Sequence, residues 1–500
     1  MRGRVKNIRL LSAMISLWKE SVGLRQFLLG WLTPILVMWL ITCLLLDDVS
    51  RLDFDQIGGD ATQNFYSAMN LSHYGIYSEN LPSADVTPGF RREPIPNFIL
   101  AGYLRLINCF MPSFVVDGFL DVPELLYAVK TINLGYSITI MLLMWLLCRF
   151  LFKPYFIADF MALPLIWSCH EYFIADEING LNTELVVALA LLLLTYLLLK
   201  AYETPVCIWI ASAGLGLGLL ALTKAVGAYL ALLVIPIAAA VIARRSIEFP
   251  RIVLALSIGF LLTISPWVLR NQIVFGKVAI AKGGGDVLLI RSVFNTMLPL
   301  EYQGAFFAFS PEGVQGLMAS SLLPFQAEDL ECGGPLERLN RGLPCDQLAF
   351  KEQRFDDVRS FYRRGKHALP ILLGLSPQQR QAEAVRRITA EPWSHVAASL
   401  PMAWRGFWAF TDRGWLSIVV NASAFVALLI APWIGILRKR LIWIMVGLVP
   451  FTYFLFYASL THFLPRYAEP LIPVSLIALG MVFVDLIFSK LFSNFCYLRR

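Results

Sequence analysis

The chain has 500 residues, of which 57% are hydrophobic, 13% aromatic and only 15% charged. Soluble domains carry roughly 25% charged residues, so a soluble enzyme is excluded. The apolar runs are continuous rather than alternating, which argues against a membrane β-barrel. The net charge of +7 is explained by cations gathered in short segments between apolar runs, so no nucleic-acid partner is expected.

The chain opens on a basic leader in which Ile8, Leu11, Met14, Ile15 and Trp18 recur at helical spacing among Arg9, Lys19 and Arg25. That pattern predicts a helix lying on the membrane surface. The first long apolar run, 27–46, has no small-residue cleavage site and reads as an uncleaved anchor. Ten spans are predicted, near 27–46, 126–148, 154–169, 181–200, 206–223, 225–243, 252–269, 415–436, 441–459 and 468–488. Each is a helix of about the length that a bilayer core of ~30 Å demands, the 154–169 run being short and carrying Asp159. Arg149, Lys153, Lys200, Arg244, Arg245, Arg251, Arg438, Lys439, Arg440, Lys490, Arg499 and Arg500 fall on one side with the basic leader. The 170–180 loop on the other side has acids and no Lys or Arg. The positive-inside rule then predicts cytoplasmic termini, with 47–125 and 271–412 on the outer side of a cell inner membrane.

The first outer segment contains "GGDATQNFYSAM" (58–69). Asp60 precedes Ala-Thr-Gln, so on local evidence it caps a helix over 61–74 with Gln63 reaching back; the other reading is a proton acceptor. The helix it opens places Ala61, Phe65, Ala68 and Met69 on one face, suiting an element that lies on the membrane interface. "RREPIPNFILAGYLRLINCF" (91–110) predicts a second such helix, preceded by Arg91, Arg92 and Glu93. The two cations are headgroup anchors or ligands.

Further along, "LGLLALTKAVGAYL" puts Lys224 between two spans with almost no loop, and its glycine-spaced run suggests close helix packing. "SPWVLRNQIVFG" puts Arg270 and Asn271 at the end of another span. The segment 271–412 predicts a small α+β extracytoplasmic domain. "GKVAIAKGGGDVLLI" (276–290) reads as short strands about a glycine turn facing the substrate cavity, and 350–398 reads as helical. Cys332 and Cys345, in "ECGGPLERLNRGLPCD", either close a small disulfide loop or remain thiols. No CxxC, HExxH or clustered His is present, so no metal site is written locally and no cofactor is expected. The last outer turn, "THFLPRYAEPLIP", carries His462, Arg466 and Tyr467.

The mid-spans are mostly free of strong polar groups, unlike those of a carrier. Asp60, Arg91, Arg92, Glu93, Lys224, Arg270, Asn271, His462 and Arg466 instead fall where spans meet the outer surface. Cations collected at one membrane depth call for an anion, and a lipid phosphate lives at that depth.

In their order, "GDATQNFYSAM", "REPIP", "LTK", "PWVLRN" and "RYAEPLIP" resemble the GT-C superfamily of membrane glycosyltransferases, in particular its protein O-mannosyltransferase and lipid A aminoarabinose transferase branch. The resemblance runs over nearly the whole chain. It implies a transmembrane catalytic region at 1–270 that includes the 47–125 loop, an outer domain at 271–412, and terminal spans at 413–500. It implies an inverting transfer of a sugar from a polyprenyl-phosphate donor to a glycan, lipid or protein acceptor. Asp60 takes the place of the family's catalytic carboxylate. Where members often carry a second acid directly after it, this chain has Ala61, which leaves Asp60 as the motif's lone carboxylate. Arg270, Lys224 and Arg466 match positions that look like lipid-phosphate ligands; Arg91, Arg92 and His462 join them by depth, with Glu93, Asn271 and Tyr467 expected to line the cavity. The alternatives are an O-antigen-type polymerase or ligase using a lipid diphosphate, and a lipid or sugar transporter.

Overall fold

The computed structural model describes residues 22–55, 57–110, 123–245, 248–321 and 324–485. The amphipathic leader and the terminal cations Lys490, Arg499 and Arg500 lie outside them. Among the described residues the chain is helical without a β-strand, and eight helices are long and apolar enough to cross a membrane. They are Gly30–Arg51, Pro123–Leu151, Glu184–Glu203, Val226–Arg245, Phe249–Phe275, Trp415–Leu437, Leu441–Leu460 and Pro465–Phe483. The two remaining predicted spans are also helices, at Tyr155–Cys169 and Cys207–Thr223, but at 15 and 17 residues they are shorter. The protein is a polytopic helical membrane protein.

Helices suit this setting because every backbone N–H and C=O is bonded within the element, leaving none to face hydrocarbon. The bundle also carries its apolar surface outward. Leu232, Leu254, Leu262, Ile273, Val419 and Leu437 are exposed, while the interior closes around smaller contacts. Gly214 lies against the carbonyl of Leu256, Gly218 against Thr263, and Gly259 against the carbonyl of Ala211. Any Cβ at these positions would collide, so the glycine run of Cys207–Thr223 is the seam on which Phe249–Phe275 packs, as the spacing suggests.

The two helices of the first long loop form as predicted, at Asp60–Tyr74 and Pro94–Phe110. Their environment differs from the prediction. Ala61, Phe65, Ala68 and Met69 are buried against Leu100, Ala101, Leu104 and Ile107. The apolar stripe is therefore a helix–helix seam rather than a membrane-lying face, because a second amphipathic helix is close enough to cover it. The loop that follows is tied to the bundle by Tyr77, whose ring meets Trp267 edge-on with centroids 4.8 Å apart.

The segment 271–412 is a small helical domain, which corrects the α+β expectation. In place of a hairpin, 277–283 is an irregular strap and Gly284–Val293 is a helix. The strap makes a backbone bond to the first loop, from Lys282 N–H to the Phe90 carbonyl at 3.0 Å, and no neighbouring strand extends it among the described residues. Gly283 turns the chain at φ 122°, a conformation that favours glycine. Gly285 packs on the backbone of Gln381 in the Pro377–Ala390 helix rather than facing a cavity. Cys332 and Cys345 are joined in a disulfide. Pro392–Phe407 then leads the chain back to the bundle.

Candidate active site

Asp60 is the first residue of its helix. The N-cap is Gly59, at φ 58°, and the Asp60 side chain makes no capping bond, so the helix-cap reading is corrected. The carboxylate faces cations instead. Arg92 donates through Nη2 to Oδ1, and Arg466 donates through Nη2 to Oδ2 at 3.0 Å. Gln63, cast as the other half of a capping box, accepts from Arg92 Nε at 2.9 Å. Two guanidinium partners are worth more to an ionised carboxylate than one backbone amide, since charge-assisted hydrogen bonds are the stronger class. Burial by itself would raise the Asp60 pKa, but hydrogen bonding and charge from Arg92, with Arg466 and Lys224 behind, outweigh it and hold the carboxyl below its usual range. Asp60 is ionised at neutral pH.

The helices that deliver these groups are far apart in sequence. Arg92 and Glu93 immediately precede the Pro94–Phe110 helix. Their carbonyls accept from the Tyr77 hydroxyl, each at 3.0 Å, and Tyr77 in turn accepts from Asn97 Nδ2 at 2.6 Å. Lys224 follows the last residue of Cys207–Thr223, in extended backbone. Its Nζ donates to Thr183 Oγ1 at 3.1 Å, and Glu93 Oε1 accepts the adjacent Ala225 N–H at 3.1 Å. Burial would lower the Lys224 pKa, but the charges of Glu184 and Glu93 reverse that and raise it. Tyr467 joins the parts: its ring lies 5.9 Å from Lys224 Nζ, 5.4 Å from the Arg466 guanidinium carbon and 5.7 Å from the His462 ring.

The remaining predicted residues lie around this centre in different roles. Arg270 Nη1 donates to the Gly89 carbonyl and to Asn271 Oδ1, both at 2.8 Å, and its guanidinium stacks near Trp267 and Tyr77. It braces the 77–93 loop. Asn271 is fully buried and holds the 276–283 strap through the Ala279 carbonyl at 2.8 Å, so it does not line the cavity. Arg91 is exposed and has no polar partner among the described residues. His462 is buried with both ring nitrogens unpartnered. Burial, together with Arg405, Arg341, Arg466 and Lys366, keeps its pKa well below the usual imidazole range; it is neutral.

Three acids beside this centre escape a motif-based reading. Glu184, in the first turn of its span, is 5% exposed and electrostatically coupled to Lys224. Glu177 lies beside the carboxyl of Glu469, and ionising both at once is unfavourable. Burial and the nearby Glu184 charge push Glu177 up to about 7. The signal available in sequence was an acid at the mouth of a span in "LNTEL", which is also an ordinary helix start.

No family model matches the chain, and no curated protein matches it. Among solved structures it is similar to the crystal structure of ArnT from Cupriavidus metallidurans bound to undecaprenyl phosphate, with 14% identity over 91% of this chain and 79% of that one and a TM-score of 0.37.

Proposed function

We propose that this protein is an inverting glycosyltransferase that moves a sugar from a polyprenyl-phosphate donor to an acceptor at the outer face of the inner membrane. The observation that carries this reading is one ionised carboxylate, Asp60, held between Arg92 and Arg466 with Lys224 behind them, where a long loop meets the end of a membrane bundle. The order of the sequence motifs and the distribution of cations among the loops support it.

The chemistry follows from that inventory. The acceptor oxygen or nitrogen attacks the anomeric carbon as the bond from that carbon to the phosphate oxygen breaks, and a single displacement inverts the centre. The acceptor's proton goes to Asp60, a general base within hydrogen-bond reach. The phosphate leaves with the bonding electron pair, and its charge is met by Arg92, Lys224 and Arg466 in a partly desolvated site. In this reading no metal ion is needed.

The two arginines that restrain Asp60 have a further consequence. A carboxylate tied to two guanidiniums is a weak base. When the donor's phosphate arrives, Arg92 and Arg466 turn towards it and Asp60 recovers basicity, so base strength is coupled to donor occupancy.

The test is transfer by the purified protein from defined polyprenyl-phosphate sugars, alongside binding of the sugar-free polyprenyl phosphate in detergent. Saturable binding with inverted product is expected. Absence of polyprenyl-phosphate binding by the folded wild-type protein overturns the reading.

A further inference from the structure

Beside the Asp60 centre lies a second group of cations that the transfer chemistry does not use. Arg341 and Lys366 come from the 271–412 domain and Arg405 from the helix that returns to the bundle. Two of them meet on Tyr362: the Arg341 guanidinium carbon lies 4.5 Å from its ring centroid, and Lys366 Nζ donates to its hydroxyl at 3.2 Å, while the Arg405 guanidinium carbon lies 4.6 Å from the Phe309 ring centroid. His462 stands 5.1 Å from the same ring, and its carbonyl accepts from Arg405 Nη1 at 3.3 Å. Among the described residues, none of these three cations has a carboxylate within ion-pair distance.

Two independent observations say that this group is built for an occupant. Like charges gathered without a counter-ion are unfavourable, more so when one is desolvated; burial and Arg341 push even the Arg405 pKa down to about 10. His462, 3% exposed and beside the same cluster, leaves both ring nitrogens unpartnered, and buried polar atoms ordinarily find a partner. A neutral imidazole donates one N–H, which suits an oxyanion that the guanidiniums bind.

We propose that Arg341, Lys366, Arg405 and His462 form a second oxyanion subsite, separate from the donor-phosphate centre, that holds a phosphate-class group of the acceptor. The assignment to the acceptor rests on the glycosyltransferase reading and on position. Arg341 and Lys366 come from the outer domain, whereas the cations on Asp60 come from the membrane bundle and its first loop, where a polyprenyl chain would lie.

The experiment is titration of the purified full-length protein with inorganic phosphate, followed by phosphorus NMR, in parallel with polyprenyl-phosphate binding. Arg341 and Lys366 are exposed, so the double variant R341Q/K366Q tests charge without emptying a core, and Arg405→Lys tests the fork geometry with charge retained. Inorganic phosphate should bind the double variant at least about tenfold more weakly, with polyprenyl-phosphate affinity within about twofold of wild type. Phosphate affinity unchanged in the double variant overturns the subsite. A parallel loss of polyprenyl-phosphate affinity overturns its separateness and returns the cluster to the donor centre. Wild-type protein that binds inorganic phosphate through these residues but not polyprenyl phosphate would sink the transferase reading and leave the subsite standing.

Discussion

The two ends of the bundle treat their charged groups differently. At the end opposite Asp60, Asp159 is fully buried and saturated: Arg149 donates to it twice, at 2.6 and 2.9 Å, Trp145 at 2.6 Å and Thr33 at 2.9 Å. Asp485 is likewise gripped by Arg438 and Arg440. At the Asp60 end Arg92 and Arg466 share the Asp60 carboxylate, and Arg341, Lys366 and Arg405 have no carboxylate within ion-pair distance among the described residues, although Lys130 pairs with Asp53 and Arg413 with Glu171 and Asp176. Balanced charge holds helices together; unbalanced charge awaits a ligand. The comparison separates structural from chemical groups better than residue type does, since arginine dominates both ends.

Five substitutions break or sharpen that contrast. Asp60→Asn keeps the size of the side chain but cannot accept a proton as a carboxylate does. Transfer should fall by about 10²–10⁴-fold, with polyprenyl-phosphate binding retained because the cations remain. Turnover at the wild-type rate would remove Asp60 from the mechanism.

At the opposite end, Arg149→Ala strands a buried carboxylate and should cost about 3 kcal/mol in unfolding measurements. The activity of the protein that remains folded should be unchanged, and a specific loss of turnover would mean the two ends are not separable in this way. Smaller still, Lys224→Ala or Arg466→Ala should weaken polyprenyl-phosphate binding about tenfold each. Equal affinity in both variants would return these cations to structural service.

The smallest effect is on pH dependence. Glu177 titrates near 7 in the folded protein, above the usual carboxylate value of about 4.3. Between those two values the folded state holds more protons than the unfolded one, so this group's contribution to stability is complete at low pH and is lost as pH rises through about 7. Thermal unfolding from about pH 5 to 8 should show a shallower decline for Glu177→Gln than for wild type. Parallel slopes would show that the carboxyl pair is not the titrating element.

The long apolar segments were legible because a bilayer imposes a length and a composition that few other settings share. All ten predicted spans fall on helices, and even the short 154–169 run does so at Tyr155–Cys169. The helices of the first loop were legible from periodicity, but what covered their apolar faces was not. Ala61 and Phe65 read the same against lipid as against Leu104. The strand prediction at 276–290 failed for a related reason: Val278, Ile280 and Leu288 suit a strand only if a neighbour supplies the other half of the ladder, and none is present among the described residues.

For the site, depth alone grouped Asp60, Arg92, Lys224, Arg466 and His462 with Arg91, Glu93, Arg270 and Asn271 before any coordinates. Depth could not say which cations share an anion. Arg270 and Asn271 lie at the right level yet brace the loop and the strap, and Arg91 stays at the surface. The sequence by itself determined the helical membrane architecture and the end of the bundle where charge collects, because hydrophobic length and loop charge are properties of contiguous residues. Only the tertiary structure decided that Asp60 pairs with Arg92 and Arg466, that Glu177 meets Glu469, and that Arg341 and Lys366 meet on Tyr362. Electrostatic partnership depends on distances between residues hundreds of positions apart, and local pattern carries no information about them.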